Sequence, residues 1–188
     1  MKKTVLFTIL GVLASFQMSG RELEISFNYE KQPGPGSNQY AVWIEDAGGK
    51  VVKTLFVTSF TSKGRSRDGQ KAERGYRFRP ACVPHWVKAV NADSLSDGQM
   101  DAFTGATPAS SGTQTFVWDF TDQNGKAVAR GKYVFHVEAT YFNEGQVLYT
   151  GEVMSSGRKD IGVIKEVFSN PSVTEHKGMI SSLTARVR

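Results

Sequence analysis

The sequence predicts an all-β fold, an antiparallel sandwich with one short helix, from three observations. Apolar and polar residues alternate in run after run, the period-two pattern of strands buried on one face. Short clusters of Gly, Pro, Asn and Asp separate the runs. Helical spacing of apolar residues occurs in one place. At 188 residues, the chain can bury a sizeable core as one domain without metal or disulfide staples.

The chain opens MKKTVLFTILGVLASFQMSGRELEI, with Lys2 and Lys3 ahead of an apolar run from Val5 to Phe16, then small and polar residues before Arg21. This is the plan of a secretory signal, and the run is too short to span a bilayer comfortably. Residues 1–20 are therefore expected to be removed. Residues 21–188 are expected to form a single domain with no transmembrane span, in the periplasm or otherwise outside the cytoplasm.

ELEISFNYE sets Leu23, Ile25, Phe27 and Tyr29 against polar neighbours and reads as the first strand. KQPGPGSN breaks it, QYAVWIED resumes as a second strand, AGG turns the chain, and KVVKTLFVTSF is a third strand rich in β-branched and aromatic residues. Three strands so closely spaced point to one antiparallel sheet. From Thr61 to Pro80 the chain is turn-rich and basic, with Lys63, Arg65, Arg67, Lys71, Arg74, Arg77 and Arg79 against Asp68 and Glu73. Such a stretch can attract phosphate or acidic partners, and it is more often a solvated loop and strand edge. Nucleic acid is a poor fit for an exported protein.

The one helix is expected in VPHWVKAV, where Pro84 suits a first helical position and Trp86, Val87 and Val90 share a face. A second β half follows: TQTFVWDF, the turn TDQNGKAVARG, KYVFHVEATYF, the turn NEG, QVLYTGEVM, then IGVIKEVF and MISSLTARVR. The Asn124-Gly125 pair between alternating strands is a hairpin signal. Seven or eight strands with short turns make a sandwich of immunoglobulin-like size.

Other chemistry is soon set aside. Cys82 is the sole cysteine, so no internal disulfide forms, and only His85 lies near it as a partner for a thiol hydrolase. His85, His136 and His176 lack metal-ligand spacing, and the glycines sit in turns and form no phosphate-binding loop. No catalytic residue and no metal ligand is assigned. The formal net charge of +5 includes two lysines of the leader, so the remaining chain is only mildly basic.

FVWDFTDQNGKAVARGKYVFHVEA resembles the immunoglobulin-like domain of flagellar hook-capping proteins, through Trp118, Asp119, Asp122, Gly125, Lys126, Val128, Gly131 and Tyr133. The spacing has a physical reading. Trp118 fills the core at a strand end, Asp119 and Asp122 bond turn amides, and Gly125 and Gly131 permit positive φ at two reversals. The resemblance speaks to fold and leaves activity open.

The string DAFTGATPASSG, residues 101–112, is the most specific signal in the chain. DAFTGAT resembles the acceptor motif of proteins modified by periplasmic flavin transferases, which attach FMN through its phosphate to the final threonine, here Thr107. A threonine hydroxyl is a weak nucleophile, so the transferase must supply base and metal, and the acceptor has to enter its active site as a loop. Gly105 and Ala106 leave little bulk beside the hydroxyl, and Pro108 biases Thr107 toward an extended conformation. The resemblance makes Asp101 a recognition or metal-proximal carboxylate for the transferase, and Thr104 a second hydroxyl that orients the turn. Trp86 and Phe103 are the nearest candidates for a shelf under the flavin ring, with His85 able to bond a ring edge. Arg74, Arg77 and Arg79 are candidates to balance the phosphodiester charge. As a plain structural alternative, Asp101 caps a turn, the string is an ordinary loop and Trp86 is core.

The order of leader, early strands, HW helix, DAFTGATPASSG, VWDFTDQNGKAVARGKY and HVEATYFNEG resembles a family of predicted periplasmic proteins of unknown function, in which a flavinylation motif directly precedes a hook-cap-like half. That family carries an Arg-Glu pair after VEA, where this chain has Phe142, Asn143 and Glu144. The resemblance implies an exported flavoprotein with covalent FMN on Thr107, an electron carrier rather than an independent catalyst. It would be served by a periplasmic flavin transferase and a membrane or periplasmic redox partner. A non-redox immunoglobulin-like binding or adhesive module of the cell envelope is the alternative. A flavin-dependent reductase, the third reading, needs a deep pocket beside Thr107.

Overall fold

A computed structural model describes residues 20–34, 36–66, 72–141, 145–156, 162, 164–167 and 178–188, with 164–167 described by their backbone. Residues 1–19 of the expected leader, Arg67, Asp68, Lys71, the Phe142–Glu144 departure with most of the NEG turn, and His176 lie outside the described residues. Among the described residues nine strands run in chain order: β1 (Leu23–Tyr29), β2 (Asn38–Asp46), β3 (Val51–Thr58), β4 (Thr104–Gly105), β5 (Gly112–Trp118), β6 (Lys132–Tyr141), β7 (Gly145–Met154), β8 (Ile164–Val167) and β9 (Ile180–Val187). Between β3 and β4 lie α1 (Ser59–Lys63), α2 (Gly75–Phe78), α3 (Pro84–Ala89), a 3₁₀ turn (Ala92–Ser94) and α4 (Asp97–Asp101).

The strands form two sheets, β5-β1-β9 and β4-β3-β2-β6-β7-β8. All pairings are antiparallel except β3 with β4. The predicted all-β sandwich is formed. Its main core lies between the sheets, where Leu23, Ile25, Phe27 and Tyr29 of β1 meet Tyr40, Val42 and Ile44 of β2 and Phe135, Val137 and Ala139 of β6. The alternation in ELEISFNYE is that burial written in sequence, since its other face is polar and partly exposed.

The larger sheet is covered on both faces, and β2 is accordingly buried without interruption from Asn38 to Ile44. On its outer face Ala41, Trp43, Val57 and Leu148 pack against Tyr76, Val83, Trp86, Met100 and Phe103 of the helical segment. The sequence led us to expect one helix, and this second core needs four short ones and a 3₁₀ turn. Each contributes only one or two buried side chains, too few for a helical period to register. Thr61–Pro80 is consequently more than a solvated loop, and Ser59 and Phe60 belong to α1 rather than to β3.

Two other expectations are corrected. β1 does not share a sheet with β2 and β3; it pairs with β5 and β9. The Asn124-Gly125 turn closes only a local Thr121–Ala127 bridge, and its flanking strands β5 and β6 enter different sheets. The turn chemistry itself is as read: Asp122 Oδ1 accepts from the amides of Asn124 and Lys126, both at 2.9 Å, and Gly125 has φ 78°. Gly131, by contrast, is not among the positive-φ glycines. Trp118 is fully buried at the end of β5 and donates Nε1–H to the Thr121 carbonyl at 2.8 Å.

Candidate functional site

The acceptor string leaves α4 as a well-anchored segment. Ser96 caps that helix through a capping box with Gln99, Oγ accepting the Gln99 amide at 3.2 Å and Gln99 Oε1 the Ser96 amide at 2.9 Å. Thr104 Oγ1 donates to the Met100 carbonyl at 2.6 Å and lies 2.8 Å from Ser62 Oγ. Thr104 and Gly105 then pair in parallel with Val57 and Thr58. Beyond the loop, Lys31 donates its amide to Ser111 Oγ and its Nζ to the Ala109 carbonyl, both at 2.9 Å. The segment between these anchors carries exposed Ala106 and half-buried Thr107 and Pro108.

Thr107 lines a groove of about 460 Å³ whose other walls include Lys31, Ser37, Ser59, Phe60 and Arg65. Two cationic side chains line it and none of the described lining residues is a carboxylate, so the groove favours an anion. Its floor is fixed by a buried polar network. Gln39 Oε1 accepts from the hydroxyls of Thr58 and, at 3.0 Å, Thr61, while Gln39 Nε2 donates to Ser37 Oγ and, at 2.7 Å, to the Asn38 carbonyl. With every group of the amide engaged, the network holds α1 against β2 and β3.

The remaining residues singled out in the sequence are spread over other parts of the fold. Asp101 is exposed, pairs with Lys63 Nζ at 2.8 Å, and lines a separate depression of about 480 Å³ with Arg74, Arg77 and Asp93. Trp86 is fully buried, donates Nε1–H to Thr54 Oγ1 at 3.2 Å and meets Phe103 edge-on at 6.0 Å. His85 Nδ1 sits 3.0 Å from Glu138 Oε1, and the His85 amide reaches the same oxygen at 3.2 Å. Asp101, Trp86, Phe103 and His85 do not line the groove beside Thr107. Arg74 bonds the Ala92 and Leu95 carbonyls and Asp97, and Arg77 pairs with Asp93 at 2.7 Å. The Arg77 guanidinium and the Tyr76 hydroxyl hold the Asp93 carboxyl below its ordinary value. Arg79 instead lies over the Phe60 ring, 5.5 Å from its centroid.

Sequence reasoning missed Lys31, Ser37 and Phe60 as neighbours of Thr107. Lys31 and Ser37 flank the Pro-Gly break, which the sequence marks only as a turn, and Phe60 ends a run with strand character. Their meeting with Thr107 is a product of tertiary structure. Among the described residues no cluster of His, Cys, Asp and Glu could hold a metal ion, and no helix is long and apolar enough to cross a membrane.

No curated protein and no solved structure matches the chain. A family model does match, over residues 22–161, which include Lys31, Arg65, Thr107 and both cores' principal strands. The chain belongs to the family described as "Predicted periplasmic protein (DUF2271)" and is accordingly a periplasmic protein.

Proposed function

We propose that this periplasmic protein carries FMN joined through its phosphate to Thr107 and serves as an electron carrier between envelope redox partners. The observation that carries the proposal is the coincidence of the DAFTGAT string with a half-buried threonine at the rim of an anion-favouring groove. The residues fit the group. Lys31 and Arg65 supply positive charge for a phosphodiester, Ser37 and Ser59 supply hydroxyls, and Ala106 beside the acceptor is small and exposed.

In the attachment step this chain supplies only the Thr107 hydroxyl. The bond from Thr107 Oγ to the flavin-bearing phosphorus forms as the phosphoanhydride bond of a flavin dinucleotide held by the transferase breaks, and the nucleoside monophosphate leaves. The hydroxyl proton passes to the transferase's base. Once attached, the flavin supplies the redox chemistry, while the chain supplies the tether, the charge around the phosphate and a fixed floor beneath it.

The test is the intact mass of the mature protein, exported together with an active flavin transferase, beside Thr107→Ala. The expected outcome is a gain of one FMN moiety, with yellow colour that survives denaturation and is missing from the alanine variant. An unmodified mass while a control acceptor is labelled would overturn the proposal, leaving a non-redox binding module whose ligand must be sought by direct binding.

A further inference from the structure

Beside the Thr107 groove lies a second cleft of about 270 Å³, lined by Phe60, Phe78, Arg79, Glu73 and Gly75 among others. The two hollows share Gly36, Ser37, Phe60, Gly64 and Arg65, so one runs into the next. They differ in chemistry. The groove at Thr107 is rimmed by hydroxyls and cations, whereas the cleft adds a second phenyl ring and the arginine stacked on the first.

Phe78 stands at the cleft with 70% of its surface exposed, the most exposed large hydrophobic side chain among the described residues. Leaving a phenyl group in water forgoes the free energy of its burial. The walls behind it are rigid. A β-carbon on Gly75 would stand 1.9 Å from the Phe60 carbonyl oxygen, and one on Gly64 would stand 1.8 Å from that of Glu73. The chain thus passes backbone against backbone where α1 meets α2, leaving Phe60, Phe78 and Arg79 held around a preformed opening.

We infer that this cleft seats the isoalloxazine ring of the flavin tethered at Thr107, with Phe60 and Phe78 against the ring and Arg79 at its edge. The inference rests on the proposed attachment at Thr107. Continuity of the two hollows and their complementarity to a flavin select that occupant. A molecule fixed by its phosphate in the cationic groove and ending in a planar aromatic ring with a polar edge meets charge first and aromatic surface next, in the order in which the hollows are joined. Offset or edge contacts between aromatic rings supply the attraction. Trp86 and Phe103, the shelf expected from the sequence, lie inside the second core and need not move.

The test uses the exported full chain modified by a flavin transferase, with intact mass read beside the fluorescence anisotropy of the flavin before and after unfolding in urea. The wild type is expected to be modified and to show a high anisotropy that falls on unfolding, since a ring seated in the cleft tumbles with the protein. Phe78→Ala is expected to keep the full mass gain while the fraction of freely moving flavin rises at least about twofold, since an aromatic contact of ordinary strength shifts populations by that much or more. Phe78→Tyr, which keeps the ring, is expected to retain the wild-type anisotropy. A modified Phe78→Ala protein with wild-type anisotropy would overturn the ring seat alone. Unmodified wild type beside a labelled control acceptor would overturn the seat together with the attachment, and the mass separates the two failures.

Discussion

Gly105 lies against the ring of Phe56 so closely that a β-carbon at 105 would stand 2.2 Å from Phe56 Cε2. The ring has nowhere to retreat, being stacked on Tyr40 at 4.9 Å and tilted against Phe116 at 5.3 Å. The small residue in the acceptor string is therefore a packing requirement of this fold, two positions before Thr107. Gly105→Ala is expected to lower stability by about 1–3 kcal/mol, the usual range for overpacking a well-filled site, as read from the urea midpoint. Because the strain sits in β4, the same variant is expected to accept flavin at Thr107 more slowly, measured by mass against time.

Glu138 offers a second test, on the helical layer. Its side chain has no exposed surface and accepts from the amides of His85 at 3.2 Å and Trp86 at 2.9 Å and from Gln146 Nε2 at 2.6 Å. It fastens the first turn of α3 to β6. Glu138→Ala leaves the buried Trp86 amide without that acceptor, at a cost of about 1–3 kcal/mol. Glu138→Gln, whose amide oxygen still accepts, is expected to lose less. Equal stability of the alanine variant and the wild type in urea would show that the anchor contributes nothing.

His136 predicts how stability follows pH. Its ring stacks on Trp43 at 4.7 Å and 13°, and both ring nitrogens are buried without a hydrogen-bond partner. Nε2 lies 3.3 Å from Glu45 Oε2, a contact without hydrogen-bond geometry. Desolvation pulls the imidazole below its ordinary value, and His85 adds to this; Glu45 and Glu138 pull the other way and do not prevail. A base depressed in the folded state binds its proton more readily when unfolded. Its contribution is full above the unfolded value, about 6.5, and is lost as pH falls through the folded value. The urea midpoint is therefore expected to drop as pH falls from about 7 to 5. His136→Phe, which keeps the stack, is expected to flatten that slope.

The parts of this protein that alternate were legible in its sequence. β1 announced itself because one face meets the core and the other meets water, and the Asp122-Gly125 turn because its amides need an acceptor and its backbone a positive φ. Sheet membership was not legible. Nothing local in ELEISFNYE tells it to pair with Gly112–Trp118 and Ile180–Val187, which are distant in sequence. The outer helical layer was nearly invisible for a related reason, since turns of four to six residues bury only one or two side chains each. The candidate site divides along the same line. Thr107 could be found from its string, whereas the Lys31 that pins its loop and the Phe60 that lines its groove are joined to it only by folding.

Cys82 supplies a probe of that helical layer. It is 3% exposed, and burial pushes its thiol up to about 11, against a weaker opposing pull from Arg79. The thiolate is the reactive form, so a native protein at pH 8 presents almost none of it. Iodoacetamide is expected to leave Cys82 unmodified over hours in the folded protein and to alkylate it fully in urea, as read by mass. Slow labelling under native conditions would then measure how often the stretch between α2 and α3 opens. Glu138→Ala, which cuts the α3 anchor, is expected to speed that labelling, while Phe78→Ala at the exposed face of α2 is expected to leave it unchanged. Labelling of the native wild type within minutes would mean that the layer opens freely, and a cleft walled by α2 could not then be rigid.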